Sequence, residues 1–171
     1  MPEQPNHPLL TAIDLSPYHR VVDVGGGDGT TLVALLETYA HMRGILFDLP
    51  DVVEESLINM EGLGGRLVPV GGDFFEQVPS GGDLYLLEYV LSDWEGDWAQ
   101  GVLQSVHKAM PHGARLLLLD VLLAENGLPE TANLQRRTEP EYCELLETTG
   151  FSVLSATLLA DGSVLIEAEP A

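Results

Sequence analysis

Apolar residues fall into two alternating patterns along the chain. Short, nearly continuous runs appear at Arg20–Gly25, Gly44–Asp48, Leu67–Val70, Asp83–Val90 and Ala114–Leu123. Their length and their β-branched and aromatic content predict strands buried on both faces. Between them lie longer stretches with helical spacing, from Thr30 to Ala40 and from Val52 to Met60. A third predicted helix follows Trp94. In it Trp94, Trp98, Val102, Val106 and Met110 recur at every fourth position, predicting one apolar stripe turned towards a sheet. Pro111 to Gly113 closes that helix. Thr138 and Glu141 have the spacing of a capping box, opening a last helix to about Thr149 with Gly150 as its stop. Two final strands, Phe151–Ala160 and Val164–Glu169, flank Asp161-Gly162, which reads as a two-residue hairpin turn.

The order is five strand-helix units and a closing hairpin. Crossover helices imply a mostly parallel sheet covered on both faces, and the hairpin makes the last strand antiparallel. The expected class is therefore α/β. No repeat or linker divides the chain, so one domain is expected over residues 20–171, behind an N-terminal tail of residues 1–19.

Composition narrows the range of functions. Among 171 residues, 27 acidic side chains against 7 basic ones leave a net charge of −20, which repels nucleic acid and anionic membranes. A hydrophobic fraction of 45% argues for a packed core over disorder. The single cysteine, Cys143, suits a reducing compartment, and the expected location is the cytoplasm. The histidines and Cys143 lack metal-ligand spacing, no apolar run is long enough to cross a membrane, and the polar Met1–Pro8 stretch is no signal segment.

Chemistry collects where predicted strands end. Asp23, Gly25, Gly27 and Gly29 follow a D-x-G-x-G-x-G spacing between the first strand and its helix, where the backbone must turn sharply and approach a ligand closely. Thr30 stands where a dinucleotide fingerprint wants glycine, and an acidic residue before the turn suits a cationic ligand better than a pyrophosphate. Asp48, ending the second strand, can accept from both hydroxyls of a ribose. Asp73 and Phe74, after the third, offer an acceptor beside an aromatic face, as an adenine requires. Each feature alone is compatible with an ordinary turn; together they describe a crevice for a ligand with ribose, adenine and positive charge. S-adenosylmethionine fits that description.

The stretches VDVGGGDG from Val22 to Gly29, LFDLP from Leu46 to Pro50, GGDFF from Gly71 to Phe75 and YVLSDW from Tyr89 to Trp94 carry a resemblance. So do Arg137-Thr138, Glu141-Tyr142 and Gly150-Phe151. The chain resembles the catalytic domain of the S-adenosylmethionine-dependent O-methyltransferases of plant phenolic and bacterial polyketide pathways, from about Arg20 to Glu169. The resemblance implies the Rossmann-like, seven-stranded methyltransferase fold. It implies cofactor contacts at Gly25, Asp48, Leu49, Asp73, Phe74 and Glu88, and a small phenolic or polyketide-type acceptor.

The resemblance breaks at the slots that carry catalysis. Ser92 occupies the place of the family's histidine base, and serine does not titrate near neutral pH. Asp120 and Arg136 stand where the family has supporting glutamates, and Glu88 where it has a lysine-type residue. Asp93 and Asp120 are the carboxylates left to serve as a base, so Ser92, Asp93 and Asp120 are the candidate catalytic residues. About twenty residues precede the first strand, and few lie between Leu123 and Thr138. The acceptor side is expected to be open, with a homodimer or a partner subunit covering it. Three readings follow: methyl transfer, a non-methylating reaction such as cyclisation, decarboxylation or hydroxylation, or a non-catalytic subunit.

Overall fold

The computed structural model describes residues 7–56, 62–123 and 135–171. Seven strands form one sheet in the order β3-β2-β1-β4-β5-β7-β6. They are β1 (Arg20–Val24), β2 (Arg43–Asp48), β3 (Leu67–Gly71), β4 (Leu84–Glu88), β5 (Arg115–Val121), β6 (Phe151–Leu158) and β7 (Ser163–Pro170). The first five pair in parallel, and β7 inserts antiparallel between β5 and β6. The helices are α1 (Pro8–Ala12), α2 (Thr30–Thr38), α3 (Pro50–Ser56), α4 (Gly96–Ala109) and α5 (Glu139–Thr148). The outer part of the helix predicted over Val52–Met60, and most of the Leu123–Thr138 stretch, lie outside the described residues.

The central strands β1, β4 and β5 are mainly apolar because alternate residues serve different cores. Val22, Val24, Tyr85, Leu87, Leu116 and Leu118 pack with α4 and α5 on one face. Val21, Leu84, Leu86, Leu117 and Leu119 pack with α1 and α2 on the other. Such alternation is invisible when both faces are buried, so the sequence shows only continuous runs.

Four details differ from the sequence reading. The buried stripe of α4 is Ala99, Val102, Leu103 and Val106, while Trp98 is 57% exposed. A strict four-residue repeat drifts roughly 40° per step around a helix of 3.6 residues per turn, carrying Trp98 off the face that holds Val106. The hairpin has a three-residue loop: Leu159 O accepts from Gly162 N–H at 3.0 Å, and Leu159 N–H donates to Ser163 O at 2.8 Å. Gly162 (φ 87°) takes the left-handed position of a type I turn with a glycine bulge, not the second position of a two-residue turn. Residues 72–83 connect β3 to β4 without a helix, because Gly72, Pro79, Gly81 and Gly82 interrupt any helical run. Finally, the segment ahead of β1, expected as a tail, packs on the sheet through Leu9 and Leu15, both fully buried. The capping box of α5 forms as expected: Glu141 Oε2 accepts from Thr138 N–H at 2.7 Å, and Thr138 Oγ1 from Glu141 N–H at 3.4 Å.

Candidate functional site

All the parallel strands run the same way, so their carboxyl ends deliver the following loops to one edge of the sheet. A crevice of about 330 Å³ opens there, lined by Gly25, Asp48, Leu49, Asp73, Phe74 and Asp93 among others. A larger cavity of about 770 Å³ lies beside α4, between it and residues 75–80. It holds none of the candidate residues, so chemistry, not volume, marks the site.

The glycine loop is shaped by backbone geometry. Gly25, Gly27 and Gly29 all have left-handed φ, of 69°, 58° and 79°, a region costly for other residues. Gly26 has no such φ but has no room: a Cβ there would sit 2.4 Å from Leu46 Cδ1 and 2.6 Å from Asp23 Oδ2. Asp48 holds the loop from across the sheet, its Oδ2 accepting from Gly27 N–H at 2.9 Å and its Oδ1 from Leu49 N–H at 2.7 Å. Asp73 Oδ1 accepts from Phe75 N–H at 2.8 Å, which fixes the turn presenting Phe74. Phe74 meets Phe75 and Trp94 edge-on, at centroid distances of 4.8 and 5.9 Å.

Asp23 lies beneath the loop. It is buried, and neither carboxylate oxygen has a hydrogen-bond partner. Burial pushes its pKa up to about 8, with further upward pressure from Glu88, Asp48 and Asp28. A buried carboxyl without a hydrogen-bond partner, under upward pressure from three nearby carboxylates, is electrostatically suited to a positively charged group. Tyr89, beside Glu88, is the one non-glycine residue with positive φ (53°) among the described residues, a strained conformation of the kind found at sites.

The catalytic candidates separate. Ser92 and Asp120 are both buried, with Ser92 N–H donating to Asp120 Oδ2 at 3.1 Å and Val121 N–H to Oδ1 at 2.8 Å. Burial raises the Asp120 carboxyl, against the downward pull of these bonds. Asp93 is exposed and alone of the three lines the crevice. The turn carrying Ser92 and Asp93, Leu91–Asp93, is a single 3₁₀ turn clamped by Arg137. Its guanidinium donates to Leu91 O at 2.8 Å and to Trp94 O at 2.7 Å. Sequence reasoning noted Arg137 only as part of a motif and missed this role; nothing in the local pattern announces a contact across more than forty residues.

Comparison with known proteins identifies the family. Residues 5–152 match the O-methyltransferase domain family model. The chain is 34% identical, over 98% of its length, to phenazine O-methyltransferase PhzM of Lysobacter antibioticus, and spans 53% of that protein. The structure of the mitomycin 7-O-methyltransferase MmcR superposes with a TM-score of 0.84 at 32% identity, covering 93% of this chain and 51% of that one. The S-adenosylhomocysteine-bound form of CalO1, a methyltransferase in calicheamicin biosynthesis, superposes with a TM-score of 0.81 at 26% identity, over 94% of this chain and 51% of that one. The chain thus spans about half the length of the relatives it matches. It belongs to the O-methyltransferase domain family.

Proposed function

We propose that this chain binds S-adenosylmethionine in the crevice and forms the cofactor half of an O-methyltransferase for a small aromatic natural product. The observation that carries the reading is the unpartnered, buried Asp23 surrounded by Glu88, Asp48 and Asp28 at the glycine loop. A positively charged ligand suits that buried carboxyl, and a sulfonium-ammonium ligand is one. When bound, the cofactor supplies a methyl group already activated on sulfur.

The chain's own residues do the rest. Gly25 and Gly27 let the backbone approach the ligand, and Asp48 receives ribose hydroxyls through the lone pairs its backbone bonds leave free. Asp73 accepts from an adenine amine while Phe74 and Leu49 flank the ring. Asp93, exposed at the crevice mouth, is the group placed to take a proton from an acceptor hydroxyl. Ser92 and Asp120 act beneath it as supports of the turn. Orientation of an acceptor against an activated methyl group supplies much of the rate, up to about 7–11 kcal/mol in favourable cases, so the histidine replaced by Ser92 is not indispensable.

Burial of the Ser92 slot favours one alternative, in which the cofactor is bound but its methyl group is kept. Label from methyl-labelled cofactor appearing in product separates the two. A second subunit or further chain covering the acceptor side, and a cytoplasmic location suited to Cys143, complete the proposal.

The test of the cofactor assignment is calorimetry with S-adenosylhomocysteine on Asp48→Ala. Loss of the ribose contacts and of the Gly27 anchor is expected to weaken binding about 100-fold or more, two charge-assisted hydrogen bonds being involved. Unchanged affinity would sink the assignment.

A further inference from the structure

The carboxyl ends of the parallel strands hold the crevice, and their amino ends hold a separate cavity of about 200 Å³. Arg20, Arg43 and Arg66 line it, in a chain with 7 basic residues against 27 acidic ones. Arg20 opens β1 and Arg43 opens β2, and the two are direct partners across the parallel pair. Partners in register put their side chains on one face, with the strands about 4.8 Å apart. Two residues further along, on that same face, Val22, Ile45 and Val68 stand side by side across β1, β2 and β3. The arginines therefore fringe an apolar floor. The connection from β3 to β4 supplies a wall through Gly81 and Gly82 but has no helix to cover that floor, and Val68 keeps 50% exposure.

Arg66 is held in place, its Nη1 donating to Leu36 O at 2.8 Å and to Met42 O at 3.2 Å, around the end of α2. Arg20 and Arg43 are exposed, and among the described residues neither has a carboxylate within ion-pair distance. The neighbouring acid, Asp83, accepts instead from the backbone N–H groups of His19 and Arg20, at 2.9 and 2.7 Å. The Arg20 guanidinium reaches over Gly81, where an added Cβ would lie 3.7 Å from Nη1.

We propose that this cavity is a second binding site, remote from the crevice, for a small aromatic carboxylate. The carboxylate bridges the Arg20 and Arg43 guanidiniums, each of which can offer it two parallel N–H donors. The ring lies on Val22, Ile45 and Val68. An inorganic anion would leave that floor in water, and a neutral ring would leave the guanidiniums unpaired; a ligand with both parts satisfies both. The cavity is smaller than the roughly 300–1,000 Å³ of drug-sized sites, which suits a single ring. The net charge of −20 does not forbid an anion here, because salt screens exposed charges beyond about 8–10 Å and leaves the two arginines dominant at contact.

The test is nitrogen-15 NMR of the whole chain titrated with benzoate, benzamide and inorganic phosphate. Benzoate is expected to shift the Gly44, Gly81 and Gly82 amides saturably and to leave those of Gly25 to Gly29 unmoved. Benzamide has the ring without the charge and phosphate the charge without the ring, so each should bind about tenfold more weakly or worse. Arg20→Gln and Arg43→Gln should each weaken benzoate about tenfold, and Val68→Asp, which sets a like charge on the floor, at least as much. None of these residues lines the crevice, so the shifts that S-adenosylhomocysteine causes at Gly25 to Gly29 should be the same in all three variants. Absence of a saturable benzoate shift, shifts confined to Gly25 to Gly29, equal binding of benzamide or phosphate, or unchanged affinity in either arginine variant would overturn the proposal. The cofactor reading has its own readout at the glycine loop and is decided separately.

Discussion

Replacing Asp23 by asparagine is expected to make the protein more stable relative to the wild type as pH rises. The carboxyl sits at about 8 in the folded protein against an ordinary 3.8. A group held above its unfolded pKa gives stability that is complete below the unfolded value and lost as pH rises through the folded one. Loss therefore begins near pH 4 and levels off above about 8. Between pH 5 and pH 8 the two-state linkage relation gives a loss of about 3–4 kcal/mol from this one carboxyl. The asparagine variant has no such proton, and its own unpaired amide costs the same at both pH values. The difference between the two proteins thus isolates the ionisation. With a urea slope of about 2 kcal/mol per M, the midpoint of Asp23→Asn should gain roughly 1.5–2 M on the wild type between pH 5 and pH 8. A gap between midpoints that does not change with pH would refute the assignment of Asp23 as a buried, unpartnered carboxyl.

Two further substitutions test the parts around it. Arg137→Ala removes the donors to Leu91 O and Trp94 O. It should cost about 2–4 kcal/mol in urea unfolding, with Arg137→Lys recovering only part, since an ammonium lacks the planar fork. Gly26→Ala forces a Cβ against Leu46 and Asp23. It should cost about 1–3 kcal/mol and weaken S-adenosylhomocysteine binding by calorimetry; full affinity at wild-type stability would contradict the packing described.

Much of the architecture was readable because strands buried on two faces and their crossover helices leave opposite hydrophobic signatures, as Leu116–Leu119 and the Thr30–Leu36 stretch do. The crevice was readable for a related reason: Asp48 ends β2 and Asp73 lies just past β3, and parallel strands must deliver such residues to one edge. What escaped was set by tertiary contact. The Trp98 side chain satisfies the four-residue count, yet it rests against Phe75 at the surface, with ring centroids 5.2 Å apart. His7 precedes a helix of five residues, too short for any periodicity to show, and its partner Glu88 is 81 positions away. Ser92 was singled out by its slot, whereas burial against Asp120 gives it a supporting place.

The strand order has a consequence for how the chain is made. β7 is last of the seven in sequence but sits between β5 and β6, pairing with both. β1 to β4, which frame the crevice, can associate while β7 is still unsynthesised. Until it arrives, β5 presents an unpaired edge built on four consecutive leucines, Leu116 to Leu119. Such an edge is a template for pairing with another chain. A nascent chain stalled before Ser163 should therefore aggregate through β5 even though its glycine loop is already formed.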